Sequence, residues 1–253
     1  MAAPLRILRL GTSEDVPTHV PESALAYRIV EEQLCAETGE PVETVVKVIW
    51  PSEALLPAVE RWLTTIQPDL VYMKVAAYWF AYESVPLKIE RLLGRAGRPL
   101  SAVGLRAAAI PRVAHNAVFK AGRRLAQRTI GGATPFAPEE VVERMEACIR
   151  SVVRTEHVGL VVRGPQAFAD FSANDAARER AEQRRQHVHR ALRDLCRELH
   201  VEYVGFDEPL YRTESRPSLL ADDVHRDAAG KLADAAQETA ILLHVLRKLR
   251  QER

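Results

Sequence analysis

Cysteine is scarce in this sequence, and its scarcity excludes several kinds of site. The 253 residues contain three cysteines, Cys35, Cys148 and Cys196, which lie far apart and form no C-x-x-C pair. An odd number of widely spaced cysteines argues against a disulfide framework or a structural zinc site. We therefore expect neither a metal nor another cofactor, and a reducing cytoplasm is the simplest setting for the chain.

The sequence also lacks an excess of charge of one sign and long apolar runs. Its formal net charge is +1, so the whole molecule has no polyelectrolyte signature for nucleic acid. No run approaches the ~18 apolar residues of a membrane span. Residues 1–4 lead directly into an apolar stretch, without the basic leader and apolar core of a signal peptide, so a cytoplasmic protein is expected.

Short apolar runs alternate with helical stripes, which is the pattern of a parallel sheet covered by helices on both faces. At 47% hydrophobic residues the chain is rich enough for a substantial core. We expect a single α/β domain over residues 1–253, a three-layer α/β/α sandwich. Ser52 is a plausible N-cap for the second helix. The predicted strands span residues 5–10, 42–49, 70–75, 158–163 and 201–206; helices are predicted over 22–38, from 52 to 67, 176–200 and 227–248.

Two short motifs at opposite ends of the chain suggest a catalytic triad. Asp222 precedes His225 by three residues, and this spacing lets the carboxylate hold the Nδ1 side of the imidazole while Nε2 stays free as a base. Asp223 is a second carboxylate close to the same histidine. Ser13 follows the first predicted strand and Gly11, where a nucleophile on a turn would be exposed. The alternative is that Ser13 is an ordinary turn or cap serine.

These motifs resemble those of the SGNH (GDSL-type) serine hydrolases, which have a Gly-Asp-Ser block after strand one and a late Asp-x-x-His block. Here Gly11-Thr12-Ser13 has Thr in place of that Asp, while residues 222–225 fit closely. Residues 68–72 look like the family's central strand and 157–165 like a later one. The resemblance covers the chain apart from about residues 84–156. It implies a flavodoxin-like fold and an esterase whose triad is Ser13, His225 and Asp222.

The resemblance also implies an oxyanion hole, and here the sequence departs from the family. SGNH hydrolases use the serine N–H, a glycine N–H after strand two and an asparagine after strand three. Tyr78 stands where that asparagine would be, and Pro51, which has no N–H, lies near the glycine position. We expect the donors to be the N–H of Ser13, the N–H of Ser52 and the hydroxyl of Tyr78. The alternative for Tyr78 is a pocket wall.

Residues 84–137 carry most of the local positive charge. Ten basic residues face one acid, Glu90, so this segment is about +9 and the remainder of the chain about −8. We interpret the segment as a basic, mainly helical insertion that forms a cap over the site and attracts an anionic ester or a lipid surface. The alternative is a helical insertion whose arginines are simply solvated.

The function that the sequence predicts is cleavage of a carboxylic ester through an acyl-enzyme. Two alternatives remain open. One is a catalytically weak or inactive SGNH-like binding protein, because the oxyanion blocks are substituted. The other is an acyltransferase that uses the same triad with an acceptor other than water.

Overall fold

The computed structural model describes residues 3–17, 21–94, 131–166, 175–205 and 228–251, together with residues 125 and 129. Five strands lie in these ranges: β1 (Leu5–Gly11), β2 (Val42–Val48), β3 (Leu70–Lys74), β4 (Gly159–Arg163) and β5 (Glu202–Val204). They form one sheet in the order β2-β1-β3-β4-β5, and all neighbours are parallel. The predicted five-stranded parallel sheet is therefore confirmed.

Strand register brings the carboxyl ends of the strands to one edge of the sheet. Gly11 at the end of β1 pairs with Val48 at the end of β2. Lys74 at the end of β3 pairs with Arg163 at the end of β4. The chain order reverses between β1 and β3, and in open α/β sheets ligands bind outside the carboxyl ends of the strands at such a switch point. This topology alone makes the carboxyl ends of β1 and β3 the candidate position for a ligand site.

Six α-helices lie in the described ranges: α1 (Ala26–Thr38), α2 (Leu55–Ile66), α3 (Val85–Leu93), α4 (Pro138–Val153), α5 (Asp175–Glu198) and α6 (Ala228–Gln251). One apolar core joins α2, α4 and α5 to the face that carries Leu8, Leu10 and Met73. A second core joins α1 and α6 to the face that carries Ile7 and Tyr72. The period-2 alternation of β1 supplies both layers, because it is buried on both faces.

The structure differs from the sequence-based expectation at two helices. Helix α4 was not predicted, although Val141, Met145 and Cys148 lie on its buried stripe at helical spacing. Helix α2 begins at Leu55, with Ala54 at the N-cap and no side-chain cap. The prediction that Ser52 caps this helix is therefore wrong. Ser52 instead lies one turn earlier, where its carbonyl accepts the N–H of Leu55 at 3.0 Å.

None of the helices in the described ranges is both long enough and apolar enough to cross a membrane.

Candidate active site

Ser13 lies on the turn that directly follows β1. It is the first residue of a one-turn 3₁₀ helix, Ser13–Asp15, and it is exposed. The N-cap of this short helix is Thr12, whose hydroxyl accepts the N–H of Glu14 at 3.4 Å. The N-cap of this helix is therefore Thr12, and Ser13 is not the cap residue. The serine that was predicted to be the nucleophile lies beside the switch point of the sheet.

Asp15 closes this turn from below. Its Oδ2 accepts the backbone N–H of Thr12 at 2.8 Å, and its own N–H donates to the carbonyl of Thr12 at 3.0 Å. The carboxylate packs so closely over Gly11 that a Cβ there would lie 2.4 Å from Oδ2. Glycine is thus required at position 11 by close approach, and the turn from Gly11 to Asp15 has a defined conformation.

The loops after β2 and β3 lie next to the Ser13 turn. The N–H of Ile49 donates to the carbonyl of Gly11 at 3.0 Å, which ties the end of β2 to the start of the turn. Trp50 follows and is 45% exposed, with its ring 6.0 Å from that of Tyr78 in the loop after β3. Burial raises the pKa of the Tyr78 hydroxyl, and the carboxylates of Glu14 and Asp15 act in the same direction. Tyr78 thus stays protonated, as a hydrogen-bond donor must, and it senses the charges of the Ser13 turn.

The other two predicted oxyanion donors are backbone groups. The N–H of Ser52 donates to the carbonyl of Trp50 at 2.7 Å, so it would have to leave that bond to contact a substrate. Ser13, which would supply the other N–H, begins the 3₁₀ helix Ser13–Asp15. Of the three predicted donors, the Tyr78 hydroxyl has the favourable protonation state and the Ser52 N–H is already used.

A buried ionic cluster lies beneath the Ser13 turn, on the face of the sheet that packs against α6. Arg9 is 2% exposed and donates to Asp15 Oδ1 at 2.7 Å and to both oxygens of Glu238 at 2.7 and 3.1 Å. Lys74 reaches the same Asp15 oxygen at 2.9 Å. Arg163 donates to Glu238 at 2.6 Å and to Asp234 at 2.9 Å. Three cations and three carboxylates balance one another, as buried charges must.

The cluster fixes the ionisation of its carboxylates. Burial alone would raise the pKa of the Glu238 carboxyl, but the charges of Arg9, Lys74 and Arg163 outweigh burial and lower its pKa to about 2. For Asp15 burial also acts upward, but Arg9, Lys74 and the Thr12 N–H hold its pKa well below the usual range. Both carboxylates remain charged at neutral pH and serve as structural acceptors.

The predicted base and its orienting acid lie outside the described residues. Asp222, Asp223 and His225 belong to the segment between β5 and α6, and α6 is described from Ala228 onward. His189 is a described histidine at the same edge of the sheet. Its Nδ1 is 3.0 Å from the hydroxyl of Tyr203 in β5, and β5 is three strand positions from β1 in the sheet. That position does not suit a base for Ser13.

Two other features of the described residues are poor candidates for the functional site: the buried cysteines and a cleft at the opposite edge of the sheet. The three cysteines are free, and burial raises the pKa of Cys148 and of Cys196 to about 12, which keeps both thiols protonated and unreactive. A cleft of about 520 Å³ lies at the amino ends of β3 and β4, lined by Asp69 and His157 among others. It is at the wrong end of a parallel sheet for the Ser13 turn.

Sequence reasoning missed the ionic cluster, although a signal was present. β1, β3 and β4 are almost wholly buried, yet each carries a basic residue in its carboxyl-terminal half: Arg9, Lys74 and Arg163. A lone basic side chain near the end of a strand buried on both faces must be paired, because an unpaired buried charge is prohibitively costly. The partners Asp15 and Glu238 are far apart in sequence and could not be matched without the fold.

Comparison with known proteins shows the fold. No family model matches the sequence, and no curated protein matches it either. An aryl esterase from M. smegmatis has a TM-score of 0.54 at 12% identity, over 96% of this chain and 100% of its own. EstA, a psychrotrophic esterase from Pseudoalteromonas sp., has 0.54 at 8%, over 94% and 98%. A carbohydrate acetylesterase from Sinorhizobium meliloti has 0.53 at 11%, over 94% and 98%. The chain thus has the fold of the SGNH hydrolases, as the motifs predicted.

Proposed function

We propose that this chain is a serine hydrolase that cleaves a carboxylic ester through an acyl-enzyme. The observation that carries the proposal is the exposed Ser13 on a turn at the switch point of a fold that esterases share. The turn is held by Asp15 and lacks any side chain at Gly11, so the hydroxyl is presented at a defined position. A nucleophile needs this kind of preorganisation.

In the proposed mechanism Ser13 Oγ attacks the ester carbonyl while His225 Nε2 accepts the serine proton. Asp222 holds the imidazole through Nδ1 and stabilises the imidazolium. The tetrahedral oxyanion receives hydrogen bonds from the Ser13 N–H and the Tyr78 hydroxyl, with the Ser52 N–H as a third donor after local rearrangement. The alcohol leaves with the proton from His225, and water then hydrolyses the acyl-enzyme by the same base.

The proposal extends to the organisation and setting of the protein. Residues 1–253 would act as one catalytic domain, with residues 84–137 as a basic, mainly helical cap, and the protein would work in the cytoplasm on small esters. Helix α3 and residues 131–137 are the continuous described parts of that cap. The solved neighbours include an aryl esterase and an acetylesterase, so p-nitrophenyl acetate is the first substrate to test.

A non-catalytic binding protein is the second candidate function. The observation that favours it is the altered oxyanion region, where Tyr78 replaces the family's asparagine and the Ser52 N–H already donates to Trp50. Losing one good oxyanion donor costs about 10²- to 10³-fold in rate, so weak hydrolysis would survive such a loss. Complete absence of turnover and of labelling would be required for this second function.

The decisive experiment is labelling with a fluorophosphonate, followed by mass mapping of the modified residue. We expect a single adduct on Ser13 in the wild type. Ser13→Ala should abolish both labelling and p-nitrophenyl acetate hydrolysis, because the nucleophile and base act as a unit. The matched control is Ser23→Ala, an exposed serine in the turn before α1, which should behave as wild type. Hydrolysis that survives Ser13→Ala would overturn the proposal.

A further inference from the structure

Two buried side chains connect the Ser13 turn to α6. Lys231 lies in the first turn of α6 and is 4% exposed. Its Nζ donates to the backbone carbonyl of Glu14 at 2.7 Å, and Glu14 is the residue after Ser13. An ammonium group is costly to bury, and burial lowers the pKa of Lys231. A buried donor that contacts backbone beside the nucleophile is a direct mechanical link between helix and turn.

Arg9 provides the second connection one layer deeper. Its Nε donates to Asp15, and Asp15 in turn accepts the N–H of Thr12. Its two Nη atoms form a bidentate hydrogen-bonded contact with Glu238 on α6. One planar guanidinium thus sets the distance between the turn and the helix. Lysine has no such fork geometry and cannot reproduce the bidentate contact.

We propose that Lys231 and Arg9 are positioning residues that hold the Ser13 turn in register with α6, a role that rests on the proposed function. Position 225 precedes the first residue of α6 by three residues, so α6 follows directly from the segment that carries the proposed base. Fixing the turn to α6 therefore fixes the position of Ser13. A misplacement of about 1 Å at a catalytic site can cost on the order of 10²-fold in rate.

The test compares Lys231→Met with Lys231→Arg and a control on the same helix. Methionine keeps most of the length and apolar stem but cannot donate to Glu14, whereas arginine retains a donor. We expect Lys231→Met to lower kcat and the rate of fluorophosphonate labelling by about 10- to 100-fold with little change in KM. Lys231→Arg should recover part of the loss. Lys248→Met, an exposed lysine at the far end of α6, should behave as wild type.

A readout independent of turnover is amide hydrogen exchange in a peptide that covers Arg9 to Pro17. The Thr12 and Asp15 amides are hydrogen-bonded in the closed turn, so Lys231→Met should speed their exchange and Lys248→Met should not. Unchanged exchange and unchanged kcat in Lys231→Met would overturn the inference. A uniform rise in exchange over the whole chain would also overturn it, because the residue would then act through global stability.

Arg9→Lys keeps the positive charge and tests the deeper link if Lys231→Met does not fold. We expect the same loss of kcat and the same local rise in exchange, and wild-type values for both would overturn the role of Arg9. Failure of the proposed function has a different signature. If the wild type takes up no fluorophosphonate at Ser13, the proposal of ester hydrolysis is overturned. The exchange comparison then still decides whether Lys231 fixes the turn.

Discussion

At the scale of single residues, the proposed mechanism assigns to the hydroxyl of Tyr78 the role of a donor to the developing oxyanion. The side chain lies in a 3₁₀ turn after β3 and is half-buried against Trp50 and Trp79. Its raised pKa keeps the phenol protonated across the neutral range. A protonated hydroxyl next to the Ser13 turn is chemically able to donate a hydrogen bond to an oxyanion.

Replacing Tyr78 by phenylalanine removes this donor and keeps the ring. We expect kcat for p-nitrophenyl acetate to fall by about 10- to 1000-fold while KM changes little, because the lost bond would form only in the transition state. Steady-state kinetics measure the effect, with the melting temperature as a check on packing. An unchanged kcat would make Tyr78 a pocket wall and leave the oxyanion to backbone N–H groups.

At the scale of elements, the ionic cluster determines how β1, β3, β4 and α6 fit together. Each strand contributes one cation, from Arg9, Lys74 and Arg163, and α6 contributes Asp234 and Glu238 one turn apart. Breaking a buried pair by removing one partner costs about 3–5 kcal/mol, because the remaining charge is left without compensation. The cluster therefore specifies the position of α6 as well as its packing.

This cluster predicts a particular dependence of stability on acid. The pKa of Glu238 is about 2 in the folded protein and ordinarily 4.5, so between these values the unfolded chain binds more protons. The free energy of unfolding should be at its full value above about pH 4.5 and should fall as the pH drops toward about 2. Urea denaturation across this range measures it.

Two variants separate the cluster from the other carboxylates. Glu238→Gln should be less stable at neutral pH and should show a shallower loss of stability in acid. Glu198→Gln, which removes an exposed carboxylate paired with Arg150 at 3.4 Å, should retain the wild-type curve, since surface pairs contribute little. An identical acid dependence in wild type and Glu238→Gln would show that Glu238 is not responsible.

At the scale of the whole molecule, positive charge is concentrated in one segment of the chain. The segment 84–137 carries about +9 on a chain whose total is +1. Helix α3 within it exposes Leu92 and Leu93, at 63% and 53%, beside its basic residues. Basic side chains next to exposed leucines suit attraction of an anionic or lipid-like ester.

Neutralising part of this charge tests the attraction. Replacing Arg123, Arg124 and Arg128 by glutamine should raise KM for an anionic ester at low salt, and the difference from wild type should shrink at high salt because ions screen the field. The matched control makes the same change of net charge on α5, at the exposed residues Arg190, Arg193 and Arg197. An equal rise in KM for both triple variants would show that total charge, and not the segment, matters.

The order of elements and the place of Ser13 could be predicted because local signals coincide there. Apolar strands, helical stripes and the Gly11 turn each depend on residues near in sequence, and each matches the observed fold. Ser52 was misassigned as a cap because capping depends on where the helix starts, and Ala54 takes that position. Helix α4 was not predicted, although Val141, Met145 and Cys148 recur at helical spacing along it.

The sequence by itself determined where the candidate site residues lie relative to the strands and helices. A serine follows β1, a tyrosine follows β3, and an Asp-x-x-His motif precedes the predicted last helix. Short-range patterns are enough for that, since turns and strand ends are local. Only the tertiary structure decided that Arg9 joins Asp15 to Glu238 and that Lys231 contacts the carbonyl beside Ser13. Arg9 and Glu238 are 229 residues apart. A pairing between such distant charges is fixed by packing of the sheet against α6, which no local pattern encodes.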